Sequence, residues 1–407
     1  MYIFQKVFFF TSIWYIIEEI YQRGECMKKI KYDNILNCIL GGAIGDALGG
    51  PVRDMSYDLI VDKYGKRGLN GLEIDCDNKA RVSANTQLTI FTIDGVIKEY
   101  TTKYIYGKSK YMTKVMYTNY IRWQYYQGRK ISINMDKRLL KDNYLYSVQE
   151  LKYERYPEQR MADILETEMI EEETENENNF NDGWACLTKT APIGLVYYED
   201  LEKAFDTAVK VAKLTHGHPN AYLSCGVLAV IIASLMQGNR LEVAIQTAID
   251  MLKQKENASE VLRYIALALD LAKDKIHYPE KFDDFGLCDQ AHEALAAAIY
   301  VCLIGQDSIS KALVFSVNNS AYGNNIAAIV GQILGIYLGL DDVCKSWSTK
   351  LEMYELIKDI SNDLFCVITN KLPKQIDNYD KELNTNEMKY KSVKNIAKWW
   401  LIKYDKI

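Results

Sequence analysis

The sequence predicts an all-α fold, a compact orthogonal bundle of many helices, and three observations support this prediction. From Asp33 onward, apolar residues recur at the three-to-four spacing of one helix face. Alternating strand patterns are scarce, and no repeat of about 20–50 residues is present. The composition, 48% hydrophobic and 25% charged over 407 residues, is that of a globular protein. We therefore expect one helical domain over residues 27–370.

The first predicted helix begins at Asp33, which can cap it, and ends at the turn 49–51, Gly-Gly-Pro. Three glycines inside it, Gly41, Gly42 and Gly45, each lower helix stability by roughly 1 kcal/mol. A helix tolerates this cost where its backbone must lie close to a neighbouring element or a ligand. This helix is therefore expected at a close contact.

Further helices follow along the chain with the same periodicity. Residues 220–237 are apolar nearly all round, which predicts a central buried helix. The acidic run 166–179 is interpreted as a solvated helix end and loop. Residues 371–407 are interpreted as a polar linker followed by a tryptophan-rich segment, AKWWLIKY. The other predicted helices span 85–100, 111–126, 201–216, 240–254, 258–274, 289–304, 308–319, 324–338 and 348–368.

The N-terminal 26 residues are expected to lie outside the domain. The apolar run 7–17 is shorter than the roughly 20 residues needed to cross a bilayer. It resembles the core of a signal peptide, but no small-residue cleavage site follows. A third interpretation is that 23–25 is encoded by a purine run, as in a bacterial ribosome-binding site, and that the native protein begins at Met27. Residues 1–26 would then be a translated leader or a non-native extension.

Charge and cysteine usage narrow the class of protein. The formal net charge of -5 gives no support for a nucleic-acid partner, and we expect no membrane partner either. The nine cysteines form no C-x-x-C pair and no cluster with histidine, so a zinc site is not expected. Scattered cysteines in an odd number fit reduced thiols, which predicts a cytoplasmic protein.

A series of motifs runs along the chain in a fixed order. They are ILGGAIGDALGGPV (39–52), TQLTIFTIDGVI (86–97), YIRWQYYQG (120–128), APIGL (191–195), LTHGHPNAYLSCGVLA (214–229), HEALAAAIYVCL (292–303), SVNN (316–319) and NNIAAIVGQILGIYLG (324–339). Through these motifs the chain resembles the ADP-ribosylglycohydrolase family over about 36–370, and the resemblance implies an all-α fold. The stretch KWWLIKY is similar to the tryptophan-rich end of some members.

The resemblance implies a chemistry whose residues this chain lacks. Active members of the family hold two magnesium ions beside an ADP-ribose through oxygen ligands, mostly carboxylates, and a glutamate handles protons. The resemblance puts Arg53 at the glutamate position, so no catalytic residue is intact. The positions that correspond to the two metal-binding runs are Ser83, Ala84 and Asn85, and then Ala321, Tyr322, Gly323, Asn324 and Asn325.

The loss of carboxylates predicts a loss of the metal ions. Asn85 and Asn324 are neutral amides, and Ala84 and Tyr322 stand where the other two carboxylates are expected. Two divalent ions a few ångströms apart repel by several kcal/mol, and neutral ligands do not offset that repulsion. No metal site is therefore expected to be intact, and no cofactor is expected, although the family uses two magnesium ions.

Three functional hypotheses remain open. The first is a catalytically degenerate protein that binds an ADP-ribose-like small molecule, an ADP-ribosylated protein or another protein partner. The second is an active hydrolase with an altered metal site, including Asp46 or Asp54. The third is a purely structural use of the fold. For the first hypothesis, the expected ligand-binding residues are His216, Gly217, His218, Asn85 and Asn324.

Alternatives apply to individual residues. His216 can instead cap the end of its helix. Lys189 replaces the arginine usual before Ala-Pro and loses the bidentate geometry of that side chain. His277 and His292 are expected to be packing residues. Asp46 is expected to bond the adjacent turn.

Tyr322 is expected to fill the former metal cavity. Its hydroxyl would bond Asn85 or Asn324, and Arg53 would stack on its ring.

Overall fold

Helices make up the regular structure throughout the described part of the chain. The computed structural model describes residues 31–107, 112–131, 137–166, 179–319, 322–374 and 396–404, without the side chains of residues 279 and 280. Within these ranges no strand is formed, and only two isolated bridges, Ala80 with Leu351 and Gly183 with Gln290, pair extended backbone. The prediction of an all-α fold is confirmed.

The first half of the described chain contributes nine α-helices. Short 3-10 helices at Gly50–Val52, Tyr144–Ser147 and Gln149–Lys152 connect some of them. The α-helices are α1 (Tyr32–Gly49), α2 (Tyr57–Tyr64), α3 (Ala84–Tyr106), α4 (Met112–Tyr126), α5 (Lys137–Lys141), α6 (Gln159–Glu166), α7 (Ala185–Thr188), α8 (Ala191–Val196) and α9 (Leu201–Lys213).

The second half contributes nine more, with a 3-10 helix at Pro279–Phe285. They are α10 (Pro219–Met236), α11 (Leu241–Leu252), α12 (Ser259–Leu271), α13 (Ala291–Ile304), α14 (Ile309–Val317), α15 (Gly323–Tyr337), α16 (Asp342–Ser348), α17 (Tyr354–Ile368) and α18 (Lys398–Tyr404).

Most predicted helices are present with small shifts at their ends, but one prediction is wrong. The helix expected to begin at residue 348 begins only at Tyr354, as α17, and the turn before it follows a separate helix, α16, that was not predicted. The turn bonds the chain near Ala80, whose N–H donates to the Lys350 carbonyl at 2.8 Å while its own carbonyl accepts from Glu352 N at 3.1 Å. Contacts with a distant segment therefore interrupt a pattern that is locally helical.

The glycines of α1 allow it to pack backbone to backbone against α15. A Cβ on Gly41 would lie 2.2 Å from the Gly331 carbonyl oxygen, and one on Gly45 would lie 2.1 Å from that of Ala327. Either methyl group would force the helices apart. This is the close contact that the sequence predicted, and it brings the C-terminal end of α1 to the N-terminal end of α15.

Among the described residues, two helices are apolar enough to cross a membrane by length and composition, and both are largely buried in protein. The spans are Tyr32–Val52, which contains α1, and Pro219–Met236, which is α10. Their apolar windows are 78% and 83% buried. The surrounding helices therefore account for this composition, and α10 is the central buried helix that was predicted.

The tryptophan-rich segment packs against the helical domain. Trp400 is fully buried and donates its indole N–H to Thr101 Oγ1 on α3 at 3.0 Å. Tyr404 donates to Asp363 Oδ2 on α17 at 2.6 Å. The leader 1–26, most of the acidic run, Ala321 and residues 375–395 lie outside the described residues.

Candidate functional site

The candidate site lies where the first turns of α3 and α15 meet the last turn of α1. Gly49 in α1 touches α15 so closely that a Cβ there would lie 2.3 Å from Asn324 Cα. Asn85 in the first turn of α3 donates through its amide to Asn325 Oδ1 at 2.9 Å. The two segments that the resemblance identified as metal-binding positions, 240 residues apart in sequence, are thus in contact.

Asp46 is the buried acceptor at the centre of this site. It is 1% exposed and accepts five hydrogen bonds from the start of α3. Two come from the backbone N–H groups of Ser83 and Thr86, two from their hydroxyls, and one from the Asn85 amide. A carboxylate at this position is also favoured by the positive end of the α3 dipole. The expectation that Asp46 bonds its adjacent turn was wrong, because its partners lie in α3.

Asn85 joins Asp46 to the neighbouring helices. Its Nδ2 donates to Asp46 Oδ1 at 3.2 Å as well as to Asn325, and its Oδ1 accepts from Thr188 Oγ1 at 3.1 Å. Thr188 in turn accepts at its carbonyl from the Gln332 amide at 2.6 Å. Both ends of the Asn85 amide are therefore occupied within the protein.

Asn324 differs from Asn85 because its amide has no hydrogen-bond partner among the described residues. The residue is 1% exposed, and both its Oδ1 and its Nδ2 are buried and unpaired there. The neighbouring Asn325 Nδ2 is also unpaired within the described part of the chain. Buried amides are nearly always paired, since an unpaired one costs about 1–3 kcal/mol. Two unpaired donors and one unpaired acceptor therefore lie on adjacent residues at the start of α15.

The donor set does not fit two magnesium ions. Among the described residues, no group of three or more His, Cys, Asp and Glu side chains is arranged to hold a metal ion. The one carboxylate at the site, Asp46, is already surrounded by five donors, and its neighbours are amides and hydroxyls. Magnesium prefers octahedral oxygen ligands with carboxylates among them, and an amide nitrogen offers it nothing.

Tyr322 lies at the edge of the site and not in its interior. It is partly exposed, and its ring centroid is 6.4 Å from that of Trp184, with the ring planes tilted by 46°. Arg53 stacks on Tyr156, with Cζ 5.0 Å from the ring centroid, and donates to the Tyr156 carbonyl at 3.0 Å. Two parts of the expectation for Tyr322 were therefore wrong. Arg53 stacks on Tyr156 and not on Tyr322, and the Asn324 amide makes no hydrogen bond to the Tyr322 hydroxyl.

The rim of the site carries cations and aromatic rings. Burial raises the pKa of Tyr322, and Asp289 and Asp54 raise it further, while Arg53 and Arg160 oppose them. The charges of these two aspartates and two arginines therefore lie near enough to the Tyr322 hydroxyl to shift its pKa. Arg53 Nη1 is buried without a partner in the described structure, and Asp54 is mostly exposed.

His216 belongs to a buried chain of hydrogen bonds behind the site. Its Nε2 lies 2.9 Å from Glu158 Oε2, and its Nδ1 lies 2.8 Å from Thr215 Oγ1. Thr215 also accepts from Lys189 Nζ at 3.0 Å. Burial lowers the pKa of His216 although Glu158 opposes this, so the ring is neutral near pH 7. A proton on Nε2 then donates to Glu158, and Nδ1 accepts from Thr215.

The turn after His216 has a structural role in this conformation. Gly217 lies against the chain at Asn179, where a Cβ would come within 2.1 Å of the carbonyl oxygen. The ring of His218 caps α10 by accepting from Asn220 N at 3.2 Å.

The other two histidines make aromatic contacts. His277 lies 3.0 Å from the Tyr300 hydroxyl, and His292 packs edge-on against Tyr264 at 4.5 Å. Burial lowers the pKa of His292 to about 4. Packing was the role expected for both residues.

Sequence reasoning missed Glu158, Thr188 and Trp184. Glu158 is 9% exposed, accepts from Ala185 N at 3.3 Å and bonds His216. Its only signal in the sequence is a carboxylate just before a helix, which is common on protein surfaces. Trp184 precedes the short helix α7, and Thr188 is its last residue. The periodicity of the sequence did not reveal this helix.

The fold and the site define an all-α protein in which buried polar side chains gather where the N-termini of two helices meet. The ADP-ribosylglycohydrolase family model matches residues 27–373. The chain therefore belongs to the ADP-ribosylglycohydrolase family.

Individual relatives are distant. The ADP-ribosylarginine hydrolase Tri1 of Serratia proteamaculans (strain 568) is 24% identical over 183 residues, which are 45% of this chain and 46% of that protein. The match thus spans less than half the length of the hydrolase. An uncharacterized protein of Archaeoglobus fulgidus is 23% identical over 341 residues, 81% of this chain and 95% of that protein.

A solved structure gives the same fold. An ADP-ribosylglycohydrolase-related protein complex aligns with a TM-score of 0.53 at 17% identity, covering 83% of this chain and 98% of that chain. At this identity the likeness concerns the fold alone.

Proposed function

We propose that this protein is a catalytically degenerate member of its family that binds an ADP-ribose-like ligand without metal ions. This ligand is either a free small molecule or an ADP-ribosyl group attached to a protein. The observation that carries the proposal is the Asn324 amide, which is buried with both polar atoms unpaired. It stands where the family has a metal-binding carboxylate.

The chemistry of a ribose suits this amide. A vicinal diol can donate through one hydroxyl and accept through the other, which matches the Oδ1 acceptor and Nδ2 donor of Asn324. Asn325 Nδ2 offers a further donor. Ligand hydroxyls would remove the cost of leaving these groups unpaired, and this supplies a driving force for binding.

The rim suits the rest of such a ligand. Arg53 has an unpaired buried Nη1, and Arg160 is half exposed, with one nitrogen 2.8 Å from Asp182. Guanidinium groups bind phosphates, and the partly exposed ring of Tyr322 offers a surface on which a base can stack. The N-termini of α3 and α15 add positive potential for an anion.

The alternative is an active hydrolase with an altered metal site. The Serratia relative is an ADP-ribosylarginine hydrolase, which favours this alternative. It would require Asp46 or Asp54 as a metal ligand or acid. Asp46 is fully engaged with α3, and Asp54 is exposed beside Arg53 at 3.9 Å. These contacts favour binding over hydrolysis.

The test is equilibrium binding of ADP-ribose by calorimetry in EDTA. We expect binding by the native protein, and a loss of about tenfold or more in Asn324→Ala, since at least two hydrogen bonds disappear. Asn362→Ala removes an exposed amide on α17 and serves as the matched control. Binding only in excess magnesium, or equal affinity in both variants, would contradict the proposal.

A second measurement separates binding from hydrolysis. In excess magnesium the protein should release no ADP-ribose from modified arginine or serine, or from O-acetyl-ADP-ribose. Release at a rate proportional to protein concentration would support the hydrolase. The eight described cysteines are free thiols, which supports our proposal of a cytoplasmic location.

A further inference from the structure

A second cavity lies at the other end of α3. Its volume is about 490 Å³, which is in the range of small-molecule sites. Asn85 begins α3 at the candidate site, and Lys103, 18 positions later in the helix, lines this cavity. At ~1.5 Å per residue the two positions are about 27 Å apart, so one ligand of nucleotide size cannot reach both.

Three lysines surround the mouth of this cavity. Lys203 and Lys210 lie on one face of α9, and Lys103 faces them from α3. Within the described residues, none of the three ammonium groups has an ion-pair or hydrogen-bond partner. Other exposed lysines do pair with a carboxylate three positions away, for example Lys253 with Asp250 at 2.9 Å. An unpaired cluster is unusual in a protein of net charge -5, and it concentrates positive charge at one opening.

The walls of the cavity are aromatic and fixed. Tyr197 holds the Lys203 ammonium 4.5 Å from its ring centroid. Tyr100 donates to Asn370 Oδ1 at 2.5 Å, which joins α3 to the end of α17. The Tyr198 carbonyl accepts from Gln237 at 2.7 Å. A planar group can therefore enter between ordered rings without a large cost in side-chain entropy.

Apolar side chains and two carboxylates complete the lining of the cavity. Val96 and Val367 are buried, Glu99 is 8% exposed, and Glu199 also lines the cavity. Burial raises the pKa of Tyr197, and Glu99 raises it further, so this carboxylate lies close to the phenol. The three lysines therefore outnumber the two carboxylates around the cavity.

We propose that this cavity is a second binding site, for an aromatic phosphate monoester of the mononucleotide class. The phosphate dianion contacts Lys103, Lys203 and Lys210, and the ring enters between the tyrosines. The proposal is independent of the function assigned to the candidate site, because the two sites share no side chain.

The experiment measures binding of uridine 5′-monophosphate and of inorganic phosphate by calorimetry at low salt. The variant Lys103→Gln, Lys203→Gln, Lys210→Gln removes the cluster. A charge-matched control, Lys253→Gln, Lys345→Gln, Lys358→Gln, removes three exposed lysines that have carboxylate partners. All six side chains are on the surface, so both variants should fold.

We expect the nucleotide to bind more tightly than inorganic phosphate, because only the nucleotide uses the aromatic walls. The cluster variant should lose about tenfold or more in affinity, since it loses three charge-assisted contacts, and the control should keep native affinity. Equal losses in the two variants would mean non-specific attraction and would overturn the proposal. So would absence of binding by the native protein, or a loss in Asn324→Ala, which would assign the nucleotide to the candidate site.

Discussion

Asp46→Asn tests whether the buried carboxylate is a structural acceptor. The two side chains have the same shape, so the change replaces one acceptor oxygen by a donor and removes the charge. Oδ2 accepts from the backbone N–H groups of Ser83 and Thr86, at 2.8 and 3.3 Å, and these donors cannot turn away. The amide oxygen of the variant should therefore take the Oδ2 position.

The expected loss follows from the remaining contacts. The new NH₂ group takes the Oδ1 position. There it faces Asn85 Nδ2, which is also a donor and lies 3.2 Å from Asp46 Oδ1 in the native protein. That hydrogen bond is lost, the Ser83 hydroxyl, which donates to Oδ1 at 2.5 Å, must turn to accept from the new NH₂ group, and the bonds to Oδ2 change from a charged to a neutral acceptor. Bonds to charged groups contribute about 1.5–3 kcal/mol and neutral ones about 0.5–1.5 kcal/mol, so we expect a total loss of about 2–4 kcal/mol.

The assay is urea unfolding followed by circular dichroism, with and without magnesium. Asp54→Asn is the matched control, because Asp54 is exposed near the same site, and it should change stability by less than about 0.5 kcal/mol. The reasoning would be refuted if Asp46→Asn were as stable as the native protein. It would equally be refuted if magnesium stabilised the native protein and not the variant, because Asp46 would then be a metal ligand.

Three further predictions concern buried groups and the former metal site. Burial lowers the pKa of Lys189 to about 8 from 10.5, so the unfolded chain binds more protons between these values and this residue contributes a rise in native stability with pH across that window; in urea unfolding Lys189→Met should reduce the rise, to which Lys98 with a pKa lowered by burial to about 8 also contributes, and Lys345→Met should leave it unchanged. Trp400→Ala should lower the free energy of unfolding by about 3–5 kcal/mol, whereas Trp399→Ala, half exposed, should cost much less; equal effects would mean that α18 does not pack as described. A variant with four introduced carboxylates should show a magnesium-dependent rise in melting temperature. It combines Ala84→Asp, Asn85→Asp, Tyr322→Asp and Asn324→Asp. No response to magnesium would mean that the positions are misassigned.

The sequence by itself determined the main helices and the family. Apolar periodicity depends on the chain alone, so α1, α3, α10 and α15 were found with ends shifted by a few residues. The glycines of α1 also gave a correct prediction of close packing, because few other conditions justify their cost in a helix. The replacement of metal-binding carboxylates at 84, 85, 322 and 324 rests on the resemblance and stays a prediction.

Only the tertiary structure decided what those residues do. Asp46 bonds Ser83 and Asn85 at separations of 37 and 39 positions, and His216 bonds Glu158 at 58. Such pairs depend on helix crossing angles and side-chain rotamers, which local patterns do not encode. The same reason explains why Arg53 stacks on Tyr156 and not on Tyr322. The sequence thus predicted which carboxylates the site lacks, and the packing decided which of its polar groups stay unpaired among the described residues.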